Sequence, residues 1–445
     1  MVIKMRRKIY DKLLEWKSTS NGQSALLVEG ARRVGKSYIV EEFAKNEYTS
    51  YALIDFSHAP KELFDLFEND SYDIPLLLEK LRYILRVDLR ERESLIILDE
   101  VQLCPKARQA IKHLVADGRY DYIETGSLLS IKENVKDIVI PSEEESIRMY
   151  PMDFEEFCWA LGDTVTVPNI RRHFEERTPM GTDIHKVTLR LFRHYMLVGG
   201  MPKAVSTYVD TRNFKAVEAE KRRILDLYRK DIRKKGGITE NVFLQMPSEL
   251  NKHERTFTLN SADKFGRMDR FNEPFFWLED SMIANLCYNS VEPNLGLSMN
   301  RDRTTLKCYM GDTGLLITMS ISDGTLMENE VYLSLLDDKL HINEGMLTEN
   351  MVAQMLRANG HDLYFHSFYD RDKNNNRYEI DFLIREGRKI SPIEVKSSIT
   401  TKHRSLDLLM ARHSKTLGQA YILNLRDVKK EGNILYLPIY MAICL

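Results

Sequence analysis

Residues 25–37 read Ala25-Leu26-Leu27-Val28-Glu29-Gly30-Ala31-Arg32-Arg33-Val34-Gly35-Lys36-Ser37, and a helix-like pattern, Tyr38-Ile-Val-Glu-Glu-Phe-Ala, follows. An apolar strand, a glycine-bounded loop and a helix, in that order, form the context a phosphate-binding loop requires. Gly30 and Gly35 allow backbone conformations closed to other residues, so successive N–H groups can turn toward phosphate oxygens. Lys36 is placed to reach the β- and γ-phosphates, and the Ser37 hydroxyl to ligate Mg²⁺. The positive end of the new helix faces the same anion. Gly30, Ala31, Arg32, Arg33, Val34, Gly35, Lys36, Ser37 and Tyr38 are therefore the candidate nucleotide-binding residues.

Downstream, Ser50–Phe56 predicts a second strand and residues 61–87 carry helical periodicity. Ser94-Leu-Ile-Ile-Leu-Asp-Glu100 is an apolar run ending in two carboxylates, which suits a strand buried on both faces of a parallel sheet. Ligands gather at the carboxyl ends of such strands. Asp99 is the candidate Mg²⁺ ligand, and Glu100 the group that orients and deprotonates an attacking water. A further strand, Tyr120–Ser127, ends in small polar residues. Thr125, with Ser127 in reserve, either contacts the γ-phosphate and hydrolytic water or caps a turn.

Four stretches together carry a family resemblance: Gly30–Ser37, Leu95-Ile-Ile-Leu-Asp-Glu-Val-Gln102, Glu124-Thr-Gly-Ser127 and Met149-Tyr-Pro-Met-Asp-Phe-Glu-Glu-Phe157. With them the run from Met5 to Trp159 resembles the AAA-type ATPases of archaea and bacteria that carry an appended domain of unknown function. The resemblance implies a RecA-like parallel sheet, with ATP and Mg²⁺ as cofactors. Many relatives carry Gly-Arg before the Pro-Met-Asp-Phe element, whereas this chain has Pro141-Ser-Glu-Glu-Glu-Ser-Ile-Arg148. Arg148 is then either the arginine that meets transition-state charge or a solvated surface residue. Arg32 and Arg33 either touch nucleotide or pack beneath the loop.

Beyond a mixed-charge junction at 160–190, Leu191–Val205 contains Gly199-Gly200-Met201-Pro202, which is similar to a signature of the appended domain. Its glycines read as architectural, ending a helix in a tight turn. Residues 221–235 are the most basic segment, with an apolar stripe through Ile224, Leu225, Leu227, Tyr228 and Ile232. The opposite face is either a nucleic-acid strip or a solvated surface. Residues 239–290, read with the strand-like segment after them, suggest a winged helix. Glu273, Glu279 and Asp280 on its last helix would repel phosphates, which favours packing over groove reading. Leu306–Leu316 is a second signature of the appended domain.

The last hundred residues predict an α-β-β-β-α-β order: a helix across Glu344–Leu356, strands at 363–367, 378–384 and 393–397, a helix near 402–413 and a strand at 419–424. This is similar to the restriction-endonuclease-like PD-(D/E)XK fold. The resemblance puts Glu349, Asp381, Glu394 and Lys396 on catalytic positions. Asp381 and Glu394 would share a divalent cation, with Glu349 adding a carboxylate. Lys396 would activate water or neutralise the phosphate. The rival reading is a retained scaffold whose carboxylates no longer cleave.

At 445 residues the chain is too long for one core. The expected architecture is α/β: a RecA-like P-loop domain over 1–165, a helical, winged-helix-like domain over 166–335 and a nuclease-like domain over 336–445. A net charge of −2 supplies no global field for nucleic acid, so DNA contact would need a local basic patch or the C-terminal domain. Five scattered cysteines without a C-x-x-C pair argue against a zinc ribbon or disulfide framework. The first residues lack a signal-peptide core and no apolar stretch is of membrane-spanning length, so the expected location is cytoplasmic. The sequence leaves room for a protein partner or homo-oligomer.

Overall fold

The computed structural model describes residues 5–126, 142–252, 256–257, 268–321, 328–336, 344–370, 376–398 and 402–445. The chain divides into two compact units, one reaching to Tyr150 and one built on Pro151–Glu279 with Ile283–Leu445.

The first unit runs α1 (Ile9–Ser20), β1 (Ala25–Gly30), α2 (Lys36–Glu47), β2 (Ser50–Asp55), α3 (Lys61–Asp70), α4 (Ile74–Leu85), β3 (Ser94–Asp99), α5 (Pro105–Asp117), β4 (Asp121–Gly126) and β5 (Glu144–Met149). The five strands pair in the order β2-β3-β4-β1-β5, all parallel. All their carboxyl ends therefore share one edge, and β4 separates β1 from the acidic strand β3. Every residue of β1, β3 and β4 is buried, as strands covered on both faces require. One core joins Ile9, Leu13 and Trp16 of α1 to Val40 and Phe43 of α2 against the sheet. A second gathers α3, α4 and α5 with alternate residues of β2 and β3. Edge strand β5 was not anticipated: its Glu144-Glu145-Ser146-Ile147-Arg148 is polar, yet it pairs along the whole of β1.

The second unit begins with helices α6 (Phe154–Ala160), α7 (Thr166–Glu176), α8 (Thr182–Val198), α9 (Pro202–Thr211), α10 (Phe214–Lys235), α11 (Gly237–Leu250) and α12 (Met268–Asp280). It continues through β6 (Ala284–Ser290), β7 (Arg301–Met310), α13 (Thr313–Ile321), α14 (Asn329–Leu336), α15 (Glu344–Ala358), β8 (Leu363–Asp370), β9 (Asn376–Glu386), β10 (Lys389–Val395), α16 (Arg404–Arg412), β11 (Ala420–Asn424), β12 (Lys429–Glu431) and β13 (Ile434–Pro438). The α-β-β-β-α-β order of the C-terminal region is present as expected. Its sheet is larger than expected: eight strands in the order β12-β13-β11-β10-β9-β8-β6-β7. The strands read as part of a winged helix are β6 and β7, and β6 pairs in parallel with β8. They extend the C-terminal sheet across the boundary expected at 335.

The glycine signatures are architectural. Asp153 and Glu156 form a reciprocal capping box that starts α6. The Met152 amide donates to Gly200 O at 2.7 Å, and Tyr195 Oη to Met152 O at 2.8 Å. The carboxylate of Asp312 accepts from the amides of Gly200 and Leu315. A Cβ on Gly200 would lie 2.2 Å from Met152 O, and one on Gly314 2.6 Å from the Gly199 backbone. The unit closes through its last residues: His185 Nδ1 lies 2.8 Å from Tyr440 Oη, and Asp427 accepts from the amides of Met180 and Gly181. Residues 435–445 are a strand to Pro438 and then a buried 3-10 turn, Ile439–Cys444. No helix among the described residues is long and apolar enough to cross a membrane.

Candidate nucleotide site and a second charged cluster

The loop between β1 and α2 turns on Arg33 (φ 69°) and Gly35 (φ 98°), both left-handed. Gly30 is obligatory for a different reason, since a Cβ there would meet Met149 O at 2.6 Å. The Lys36 ammonium is buried in the curl of the loop and donates to Gly30 O at 2.9 Å and Ala31 O at 3.2 Å. Burial pulls its pKa down, while Glu100 and Asp99 pull it back up, which places both carboxylates within electrostatic reach. Ser37 Oγ donates to Asp99 Oδ1 at 2.9 Å, and the Thr125 hydroxyl donates to the same oxygen. The Glu100 amide donates to Thr125 Oγ1 at 3.3 Å. The start of α2 and the ends of β3 and β4 thus converge on one carboxylate. Burial raises the pKa of Asp99, and the two hydroxyl donors oppose the rise. Hard oxygen donors of this kind suit Mg²⁺.

Glu100 holds a left-handed backbone (φ 53°), and its carboxylate accepts from Gln102 Nε2. Arg32, Arg33 and Tyr38 are exposed, so neither arginine packs beneath the loop. Arg7 does: its guanidinium donates to Val34 O at 2.9 Å and to Tyr150 O at 2.7 Å. Arg7 escaped the sequence reading because it lies outside every motif, and Gln102 was quoted within the acidic-strand stretch without a role. Arg148 is exposed on β5, opposite Glu29 in register. Ser127 lies outside the described residues.

The segment 221–235, read as either a nucleic-acid strip or a solvated face, keeps Arg223, Arg233 and Lys234 exposed. Lys221 is fully buried and donates to Leu197 O at 2.8 Å, and burial lowers its pKa to about 8. Arg222, Arg223, Arg229, Arg233, Lys234 and Lys235 each pair with a carboxylate within 4 Å: Glu218, Glu220, Asp226, Glu240, Asp231 and Glu273.

In the C-terminal sheet the four expected residues come together, but with partners the sequence did not single out. Glu349 on α15 is fully buried; Lys307 Nζ lies 3.1 Å from its Oε1, and Tyr309 Oη donates to the same oxygen. Lys307 Nζ also lies 2.6 Å from Glu379 Oε1 and 3.9 Å from Asp381 Oδ1. Asp381 Oδ2 accepts from the Val395 amide at 2.8 Å. Glu394 Oε1 lies 2.5 Å from Lys396 Nζ, and burial raises the pKa of Glu394. The divalent site expected on Asp381 and Glu394 does not fit this arrangement. Among the described residues, no three His, Cys, Asp or Glu side chains are grouped to hold a metal ion. The alternating pattern of β7, which puts Lys307 and Tyr309 on one face, was the available signal.

Residues 22–158 match the family model described as AAA domain. Residues 189–325 and 344–441 match two models each described as a domain of unknown function, DUF8612 and DUF4143. No curated protein matches the chain. Among solved structures, the Walker-type ATPase PABY2304 of Pyrococcus abyssi is 14% identical, covering 72% of this chain and 96% of its own, with a TM-score of 0.43. The Aeropyrum pernix Orc1 protein, solved in complex with DNA, is 13% identical over 72% of this chain and 93% of its own, with a TM-score of 0.30. Cdc6p from Pyrobaculum aerophilum is 13% identical over 76% and 97%, with a TM-score of 0.26. With the loop, the acidic strand end and the parallel sheet in one unit, the N-terminal part of the chain has a P-loop fold, and its residues 22–158 are similar to AAA domains.

Proposed function

We propose that the chain binds Mg-ATP at Gly30–Tyr38 and hydrolyses it. The observation that carries this is the meeting of Ser37 and Thr125 on Asp99, with Lys36 inside the loop. Ser37 and Asp99 would hold the Mg²⁺, whose chemistry here is to neutralise phosphate charge. Lys36 would leave its two carbonyls for phosphate oxygens, and the amides of Arg32 to Ser37 would line the anion. Glu100, released by Gln102, would take the proton of the attacking water, and Thr125 would sense the γ-phosphate. ATP turnover followed by phosphate release, with and without DNA, tests the reading. Turnover that survives Lys36→Ala would defeat it.

The division we propose is an ATPase segment 1–165, a helical segment 166–335 and a nuclease-like segment 336–445 that borrows two strands from the middle one. One reading makes the last segment a DNA-directed nuclease controlled by nucleotide state. The ion pairs that already engage Glu349, Asp381 and Glu394 favour the other: a nucleotide-gated switch for a macromolecular partner, carrying a silent nuclease scaffold. Plasmid and linear DNA left intact with Mg²⁺ or Mn²⁺, with and without ATP, is the outcome that supports the switch.

A further inference from the structure

We infer that the outer face of α16, with the end of β8 and the start of β9, is a docking surface for single-stranded DNA. The inference deepens the switch reading by naming its macromolecular partner, and it rests on that reading.

Residues 402–415 set Lys402, Arg404, Arg412 and Lys415 against a single carboxylate, Asp407, which lies 2.9 Å from His403 Nδ1. Arg404 and Arg412 are both exposed. Eight residues apart, they share one side of the helix and are separated by about 12 Å along its axis. The cations of α10 pair with carboxylates, whereas each of these two arginines lies over a ring. The Arg404 guanidinium carbon is 5.4 Å from the Tyr378 centroid, and that of Arg412 is 5.1 Å from the Phe368 centroid. A ring steadies a guanidinium through its quadrupole without cancelling the charge.

The rings form a row of their own. Phe368 and Tyr378 face one another across β8 and β9, with centroids 5.8 Å apart and planes at 26°. His366 continues the row, 5.4 Å and 20° from Phe368. Tyr369 is 54% exposed, and its carbonyl accepts from Arg412 Nη1 at 3.0 Å. The row lies on the other side of the strands from the Lys307 cluster: Phe365, not His366, meets the Lys307 ammonium, and Glu379, not Tyr378, pairs with it.

Guanidinium groups for phosphates and flat faces for bases are the two parts of a single-strand platform. A duplex keeps its base faces stacked inside, and an acidic polypeptide has none. Such a row contacts bases and phosphates but not the 2′-hydroxyl that marks RNA, so DNA is the strand assigned.

The test is fluorescence anisotropy of a labelled DNA strand of about 20 nucleotides, long enough to cover such a platform, titrated with the full chain over a salt series. Wild-type protein should bind it more tightly than a duplex, an RNA of the same sequence or polyglutamate. Arg404→Ala with Arg412→Ala should weaken binding by about tenfold or more and lower the slope of log affinity against log salt by about 1.4, the worth of two phosphate contacts. Tyr369→Ala should weaken binding by about fivefold or more at an unchanged slope. If circular dichroism shows that the double variant does not fold, Arg404→Gln alone should lower the slope by about 0.7. Undiminished binding or an unchanged slope in a folded arginine variant overturns the inference, as does a wild-type chain that binds no strand or prefers any of the other three ligands. Strand binding that is the same with and without ATP would instead overturn the nucleotide-gated reading and leave the surface intact, so the two failures are distinguishable.

Discussion

The two charged sites of this chain use the same residue types to opposite ends. At the P-loop the carboxylate Asp99 is engaged by two hydroxyls, and the lysine rests on neutral carbonyls. In the C-terminal sheet carboxylates and lysines are already matched to one another. Hydroxyl and carbonyl contacts exchange readily for a phosphate and its metal, because no charge is stranded when they part. An internal ion pair does not, since breaking it leaves a buried charge unmatched. A site is therefore recognised by what its charges already hold as well as by which charges it has.

The largest effect that would sharpen this contrast is at Glu100. Glu100→Gln should lower the ATP turnover rate by about 10²–10⁴-fold, the usual worth of a positioned base, while ATP affinity is retained. Rapid-quench hydrolysis and nucleotide titration separate the two. Next come paired neutralisations. Glu349→Gln removes one of the charges facing the buried Lys307 ammonium and should destabilise the second unit by about 1.5–3 kcal/mol. Asp99→Asn, which keeps an oxygen for the two hydroxyls and loses a charge in reach of Lys36, should cost about 1 kcal/mol or less. Denaturant melts giving equal losses would break the comparison. Arg7→Ala removes two charge-assisted bonds to carbonyls under the loop and should cost about 2–3 kcal/mol, with a raised KM for ATP.

The smallest effect depends on pH. Glu124 is fully buried beside Glu144, which pairs with Arg108 at 2.7 Å. Burial first, and the neighbouring carboxylate next, hold the Glu124 pKa well above its usual 4.5, while Arg108 opposes them. The folded chain thus keeps a proton that the unfolded chain sheds. Its stabilising contribution is complete below pH 4.5 and is lost as pH rises through the higher folded value. Glu124→Gln should flatten that part of the stability profile and leave the variant more stable than wild type at pH 8. Parallel profiles for the two proteins would refute the assignment.

The parallel sheet was legible because β1 and β3 are continuous apolar runs, a pattern that burial on both faces imposes. Asp99 was legible as a candidate for a related reason, since it ends such a run, and Ser37 because it follows the glycine-bounded loop. β5 was not, because a polar edge strand has no periodicity to display. Arg7 lies far from the loop it supports and belongs to no motif. The C-terminal elements were visible in order, yet the cation that balances them comes from β7, well upstream in sequence. The basic face of α10 was read as either a nucleic-acid strip or a solvated surface, and its arginines and lysines are held by carboxylates on α10, α11 and α12.

The contacts of His185 with Tyr440 and of Met180 and Gly181 with Asp427 also set a timetable for biosynthesis. The ATPase sheet draws all its strands from the first 149 residues and can form while the ribosome is still at work. The second unit cannot be completed until its last segment emerges, because helix α8 waits for side chains about 250 residues away. Such distant closure is slow. During that interval α8 presents Phe192 without its final cover, Tyr440.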